Sequence, residues 1–172
     1  MFEKLSVIPI VLRHFGSFRS HRTKGVHFID WLVQVVMPFA LAILFASRGV
    51  TVNKDIATIM AAAISIFGGL LFSLMILIYG IVEKIAEEYK KTGSTVVAAK
   101  KKALEEIFVN VTFSIIVAIA TVVILVIATW DHKRLLPFIT FLALFFSQMF
   151  VLTLLMIVRR SYLLMREQFS LM

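Results

Sequence analysis

Cysteine is absent from the chain, so disulfides, thiolate metal sites and cysteine nucleophiles are excluded. No Gly-rich phosphate loop is present, because Gly68 and Gly69 sit inside a long apolar run. There is no Ser-His-Asp arrangement. No pair of carboxylates lies at membrane depth, where buried acids would argue for a proton or cation carrier; only Asp30 comes near, at an edge. Broken-helix inverted repeats, the mark of a secondary transporter, are not visible. His14, His21, His27 and His132 show no metal-site spacing and are expected at the surface. Without a catalytic constellation the chain is not expected to be an enzyme, and no cofactor or metal is expected.

Apolar residues are what is present in excess. They make up 60% of the 172 residues, and the mean hydropathy is +0.97. Soluble domains sit nearer about 45–50%. The formal charge is +8, carried in short segments between four apolar runs. The longest run, residues 56–82, holds no charge. A helix rising about 1.5 Å per residue needs roughly 20 residues to cross a bilayer core of about 30 Å. The sequence therefore predicts an all-α fold: one membrane domain over residues 1–172, built as a four-transmembrane-helix bundle with cytoplasmic helical extensions. The expected spans are 28–46, 56–82, 107–130 and 137–158.

Residues 1–27 are basic and too short in apolar content to span. They read either as an in-plane interfacial helix or as a segment packed against the ends of the other helices. No small-residue cleavage site follows the first run, so the first helix is expected to stay in the mature protein. Pro38 should kink that helix near its middle. Gly49 should stop it. Asn53 should cap the second helix, with Asp55 in its first turn.

The second helix does not end with the membrane. Ile78, Ile81, Val82, Ile85 and Tyr89 continue one apolar face, while Glu83, Lys84, Glu87, Glu88, Lys90 and Lys91 take the others. Thr92, Gly93 and Ser94 form a turn, and the next helix starts in water before entering the third span. Residues 83–106 thus make a cytoplasmic helical hairpin. The fourth helix likewise continues into a tail, 159–172. Lys100, Lys101, Lys102, Arg159 and Arg160 are the candidate docking residues for a soluble cytoplasmic partner. A plain solvated surface is the simpler reading of the same charges.

Small and polar side chains recur inside the spans. Ala57, Ala61, Ser65, Gly69 and Ser73 follow at successive i, i+4 positions, and Asn110, Ser114, Ala118 and Thr121 form a second stripe suited to face the first. In lipid, helices associate by close backbone approach, and such stripes permit it. Packing within the chain is the plain role for Ala61, Ser65, Gly69, Ser73, Asn110 and Ser114. A contact between copies or a pore lining is the sharper one, and Gln148, at the midpoint of the fourth span, belongs with that alternative.

Fourteen Lys and Arg residues lie in the N-terminal segment, the hairpin and the tail, against four in the two other loops. Positive-inside orientation then places both termini and the hairpin in the cytoplasm, in a bacterial inner membrane. This accounts for the basic charge, so direct nucleic-acid binding is not expected. The expected partners are the lipid bilayer, further copies of the chain and a soluble cytoplasmic protein.

The layout resembles small four-helix membrane subunits of bacterial anti-phage defence systems, of the Kiwa membrane-subunit type. The resemblance lies in the basic N-terminal segment, Asp30-Trp31 opening the first span, and a polar-studded last span ending in Arg159-Arg160-Ser161-Tyr162. It implies an oligomeric membrane sensor that recruits a soluble DNA-binding partner, and it transfers no individual functional residue. Two functions follow as expectations. The first is an oligomeric sensor or scaffold that recruits a soluble partner. The second is a pore-forming effector or small ion channel.

Overall fold

A computed structural model describes residues 8–16, 32–130 and 136–169, and every element there is helical. In order they are α1 (Ile8–Gly16), a π-helical turn (Leu32–Val36), α2 (Met37–Ser47), α3 (Lys54–Thr92), α4 (Thr95–Ala128) and α5 (Leu136–Phe169). Three helical stretches are long and apolar enough to cross a membrane: Lys54–Thr92, Val97–Ala128 and Pro137–Leu163. The apolar helix Leu32–Ser47 is shorter.

Local chemistry sets the ends of these helices. The Asn53 side chain accepts from Ile56 N at 2.9 Å, satisfying one of the donors that a helix start leaves open. Asp55 lies in that first turn, where the helix dipole favours an acid. At the far end Gly93 takes φ +61°, and its N–H closes on Tyr89 O at 2.8 Å. Gly49 ends α2 in the same way, with φ +74°. Only glycine adopts this conformation without strain.

Pro38 stands where the π-helical turn passes into α2, inside the apolar helix Leu32–Ser47. It falls in the first turn of α2, directly after the π-helical turn. Proline lacks the N–H and crowds the carbonyl four residues back, so the wider turn precedes it and the regular helix starts around it. The expected span 28–46 therefore begins, among the described residues, as a turn and a helix of separate geometry.

The helices expected as a four-helix bundle pack as a row. α3 lies along α4, α4 along α5, and α5 along α2, while α1 rests on α4. Neither α2 nor α5 packs extensively on α3. The α3–α4 contact follows a seven-residue period: Ala57, Ile64, Leu71 and Ile78 are all buried. They meet a core that includes Ile107, Val111, Val117 and Leu125 of α4. α4 is the hub, with 44% of its apolar stretch buried against 17% in α3 and 28% in α5. On the other side of α5, Phe39 of α2 meets Phe141 and Phe145 edge-to-face at ring separations of 5.5 and 6.2 Å.

Candidate functional site

Glu83–Thr92 continues α3 for ten residues beyond the uncharged run, about 15 Å of helix. α4 returns beside it from Thr95. Glu83, Lys84, Glu87, Glu88, Lys90, Lys91, Lys102 and Glu105 are exposed on this hairpin, and Lys100 and Lys101 are half-buried. Lys101 pairs with Glu105 at 3.7 Å. Such an exposed pair adds little stability.

At the base of the hairpin, Arg160 Nη1 of α5 donates to Glu106 Oε2 of α4 at 3.2 Å. The pair is half-buried and ties the last helix to the hairpin where both leave the apolar core. Of the five basic residues singled out for docking, Lys102 and Arg159 are exposed, while Arg160 is engaged within the chain. Glu106, one helical turn from Lys102, is drawn to Arg160.

One turn deeper lies a group that the sequence did not reveal. His14 of α1 is fully buried. Its Nδ1 donates to Asn110 Oδ1 at 2.9 Å. Its ring stacks on Phe113, 3.8 Å between centroids and 9° from parallel. Ile10 and Val11 pack on the same core. Burial pushes the His14 imidazole down from its ordinary 6.5 to about 4; the Asn110 hydrogen bond works the other way, and the Arg160 charge adds to the lowering. The surface position expected for His14 is thus corrected. Its neighbours explain why: Asn110 supplies the acceptor and Phe113 the flat face. His21, His27 and His132 lie outside the described residues.

The two small-residue stripes do not meet as expected. On α3, Ala57 is buried and Ala61 half-buried, but Ser65, Gly69 and Ser73 are exposed. The close approach to α4 is made by Gly68, where an added Cβ would meet Ala118 Cβ at 3.6 Å; at Gly69 nothing lies within 4 Å. The α4 stripe is fully inward, with Asn110, Ser114, Ala118 and Thr121 all buried. Gln148 is half-buried on α5. Ser114 Oγ, Ser147 Oγ and Gln148 Oε1 are buried without a hydrogen-bond partner among the described residues.

Two further polar contacts fasten neighbouring segments to α5. Gln34 of the π-helical turn donates to Thr153 Oγ1, and Val52 N donates to Thr140 Oγ1 at 3.3 Å. Among the described residues no group of three or more His, Asp or Glu side chains is placed to hold a metal ion. No family model, curated protein or solved structure matches the chain.

Proposed function

We propose that the chain is a multi-pass subunit of a bacterial inner membrane that self-assembles and holds a soluble cytoplasmic protein on its helical hairpin. In this reading it crosses the lipid four times, with both termini and residues 83–106 in the cytoplasm. The fourth crossing is the segment expected as span 28–46, where the described residues form the apolar helix Leu32–Ser47. The bias of Lys and Arg toward one side supports the orientation. The chain acts by binding, not as an enzyme. Its resemblance to anti-phage membrane subunits supplies the setting of the proposal.

One observation carries it. α3 and α4 run as unbroken helices well past their apolar stretches, turn at Gly93, and present exposed charges over a base locked by Glu106–Arg160. Reversal of Lys100, Lys101 and Lys102 to Glu tests it, read as co-purification with the soluble products of the flanking genes. The complex should be lost while the mass of the detergent-solubilised particle stays the same. A complex that survives the triple reversal would overturn the docking role. The pore reading has less behind it: Asn110 and Ser114 are buried within the chain, and the outward Ser73 hydroxyl is bonded to its own helix at Gly69 O, 3.2 Å away.

A further inference from the structure

Among the described residues, α4 is the only helix that packs extensively on α3. The side of α3 away from α4 is left uncovered, and at its cytoplasmic end it carries Glu83 and Glu87, one turn apart and both exposed. α5 has an uncovered side of its own. Val151, Leu155, Val158, Tyr162 and Met165 recur at three- and four-residue spacing and stand 52–65% exposed. Arg159 and Arg166, also exposed, flank this stripe. Among the described residues none of these four charges has an ion pair within the chain.

The two sides match in depth. α3 and α5 both run antiparallel to α4, which relates one to the other. Gly68 of α3 lies against Ala118, and Thr112 donates to Met75 Sδ at 3.7 Å. On the other flank Glu106 accepts from Arg160 of α5. Counting along the helices from these contacts puts Arg166 at the depth of Glu87, and Glu83 midway between the depths of Arg159 and Arg166. Leu155 and Val158 fall between the depths of Ser73 and Gly80. An added Cβ at Gly69 or Gly80 meets nothing within 4 Å, so this part of α3 has room for large side chains.

We propose that copies of the chain assemble head to tail, with the uncovered side of α5 in one copy seated on the uncovered side of α3 in the next. The inference rests on the membrane-subunit reading above and specifies how that subunit self-assembles. Copies in one bilayer share one orientation, so the two helices run parallel and keep their depths. Arg159 and Arg166 then meet Glu83 and Glu87. Charge decides against the symmetric alternatives. A twofold contact of α3 on α3 sets Glu83 and Glu87 against the same carboxylates, and α5 on α5 sets arginine against arginine. The small residues of α3 only make room. Because the contacting sides differ, each added copy leaves one α3 and one α5 open until a ring closes.

The test uses the full chain, produced without its genetic neighbours, and the protein mass of the detergent-solubilised particle by light scattering. Glu83→Arg with Glu87→Arg should bring the particle down to the single 19.5 kDa chain, and so should Arg159→Glu with Arg166→Glu. All four changes together rebuild the pairs in reverse and should return the parental mass. A second arm leaves the charges intact. The chain has no cysteine, so introduced thiols are unique. Ile76 and Leu155, each 60% exposed, lie at one depth. Membranes holding both Ile76→Cys and Leu155→Cys copies, differently tagged, should give a mixed disulfide dimer on oxidation, and either variant alone should give none. If the charge reversals do not insert, this arm decides. A parental particle of one chain would overturn self-assembly, and this contact with it. With a parental particle of several copies, three results would overturn the contact alone: a mass that ignores both reversals, a fourfold variant that stays apart while each pair of reversals inserts, or the absence of a mixed dimer. Ile76→Cys copies that cross-link to one another would replace it with the twofold contact.

Discussion

Gly68 and Gly69 are adjacent in sequence and opposite in consequence. A Cβ at Gly68 would lie 3.6 Å from Ala118 Cβ, which is ordinary contact. Gly68→Ala therefore fits, and its better helix propensity adds up to about 1 kcal/mol. Gly68→Leu must place three more heavy atoms beyond that contact, into α4. Overpacking of this kind costs about 1–3 kcal/mol. At Gly69 a Cβ meets nothing within 4 Å, so Gly69→Leu should be neutral or gain a few tenths of a kcal/mol from propensity. Reversible SDS unfolding in mixed micelles, followed by far-UV circular dichroism, reads the three variants against the parent. The expected order is Gly68→Ala and Gly69→Leu at or above the parent, with Gly68→Leu below it. If the two leucine variants unfold together, or Gly69→Leu is the weaker, the α3–α4 face has been assigned wrongly. The particle mass of Gly69→Leu is a second readout. A lower mass with unchanged unfolding would place the outward Ser65, Gly69 and Ser73 between copies of the chain.

Asn53→Ala removes the side-chain acceptor at the start of α3 and should lower stability by about 1 kcal/mol, whereas Asn53→Asp should stay within a few tenths. Equal losses in the same unfolding assay would refute the cap. Thr153→Val strands the Gln34 amide in an apolar setting and should cost about 1–2 kcal/mol, while pairing it with Gln34→Leu should recover most of the loss. A double variant as unstable as Thr153→Val alone would show that the bond is not what holds the π-helical turn to α5.

Helix ends were legible because their chemistry is local. Asn53, Gly49 and Gly93 act through bonds to residues three to five positions away, and the continuation of α3 to Thr92 follows from a face that stays apolar after charge begins. The choice of inward face was not legible. In a span with apolar residues on every side, periodicity does not say which stripe meets protein and which meets lipid, so Gly68 and Gly69 look alike until α4 is placed. Partners from distant segments were equally hidden. His14 and Asn110 stand 96 positions apart, and Glu106 and Arg160 stand 54 apart.

Polar residues at membrane depth invite a reading as an ion path, but much of this chain's polarity is self-contained. Thr112, Thr121 and Thr153 each donate to the carbonyl four residues back, at 2.7–2.8 Å. A hydroxyl satisfied in that way needs neither water nor a partner helix. The bonds that cross between elements do something else. His14–Asn110 holds α1 to α4, Gln34–Thr153 holds the π-helical turn to α5, and Val52–Thr140 holds the α2–α3 connection to α5. Glu106–Arg160 then locks α4 to α5. The α4–α5 pair is thereby a frame to which α1, the π-helical turn and the α2–α3 connection are each fastened by a polar contact.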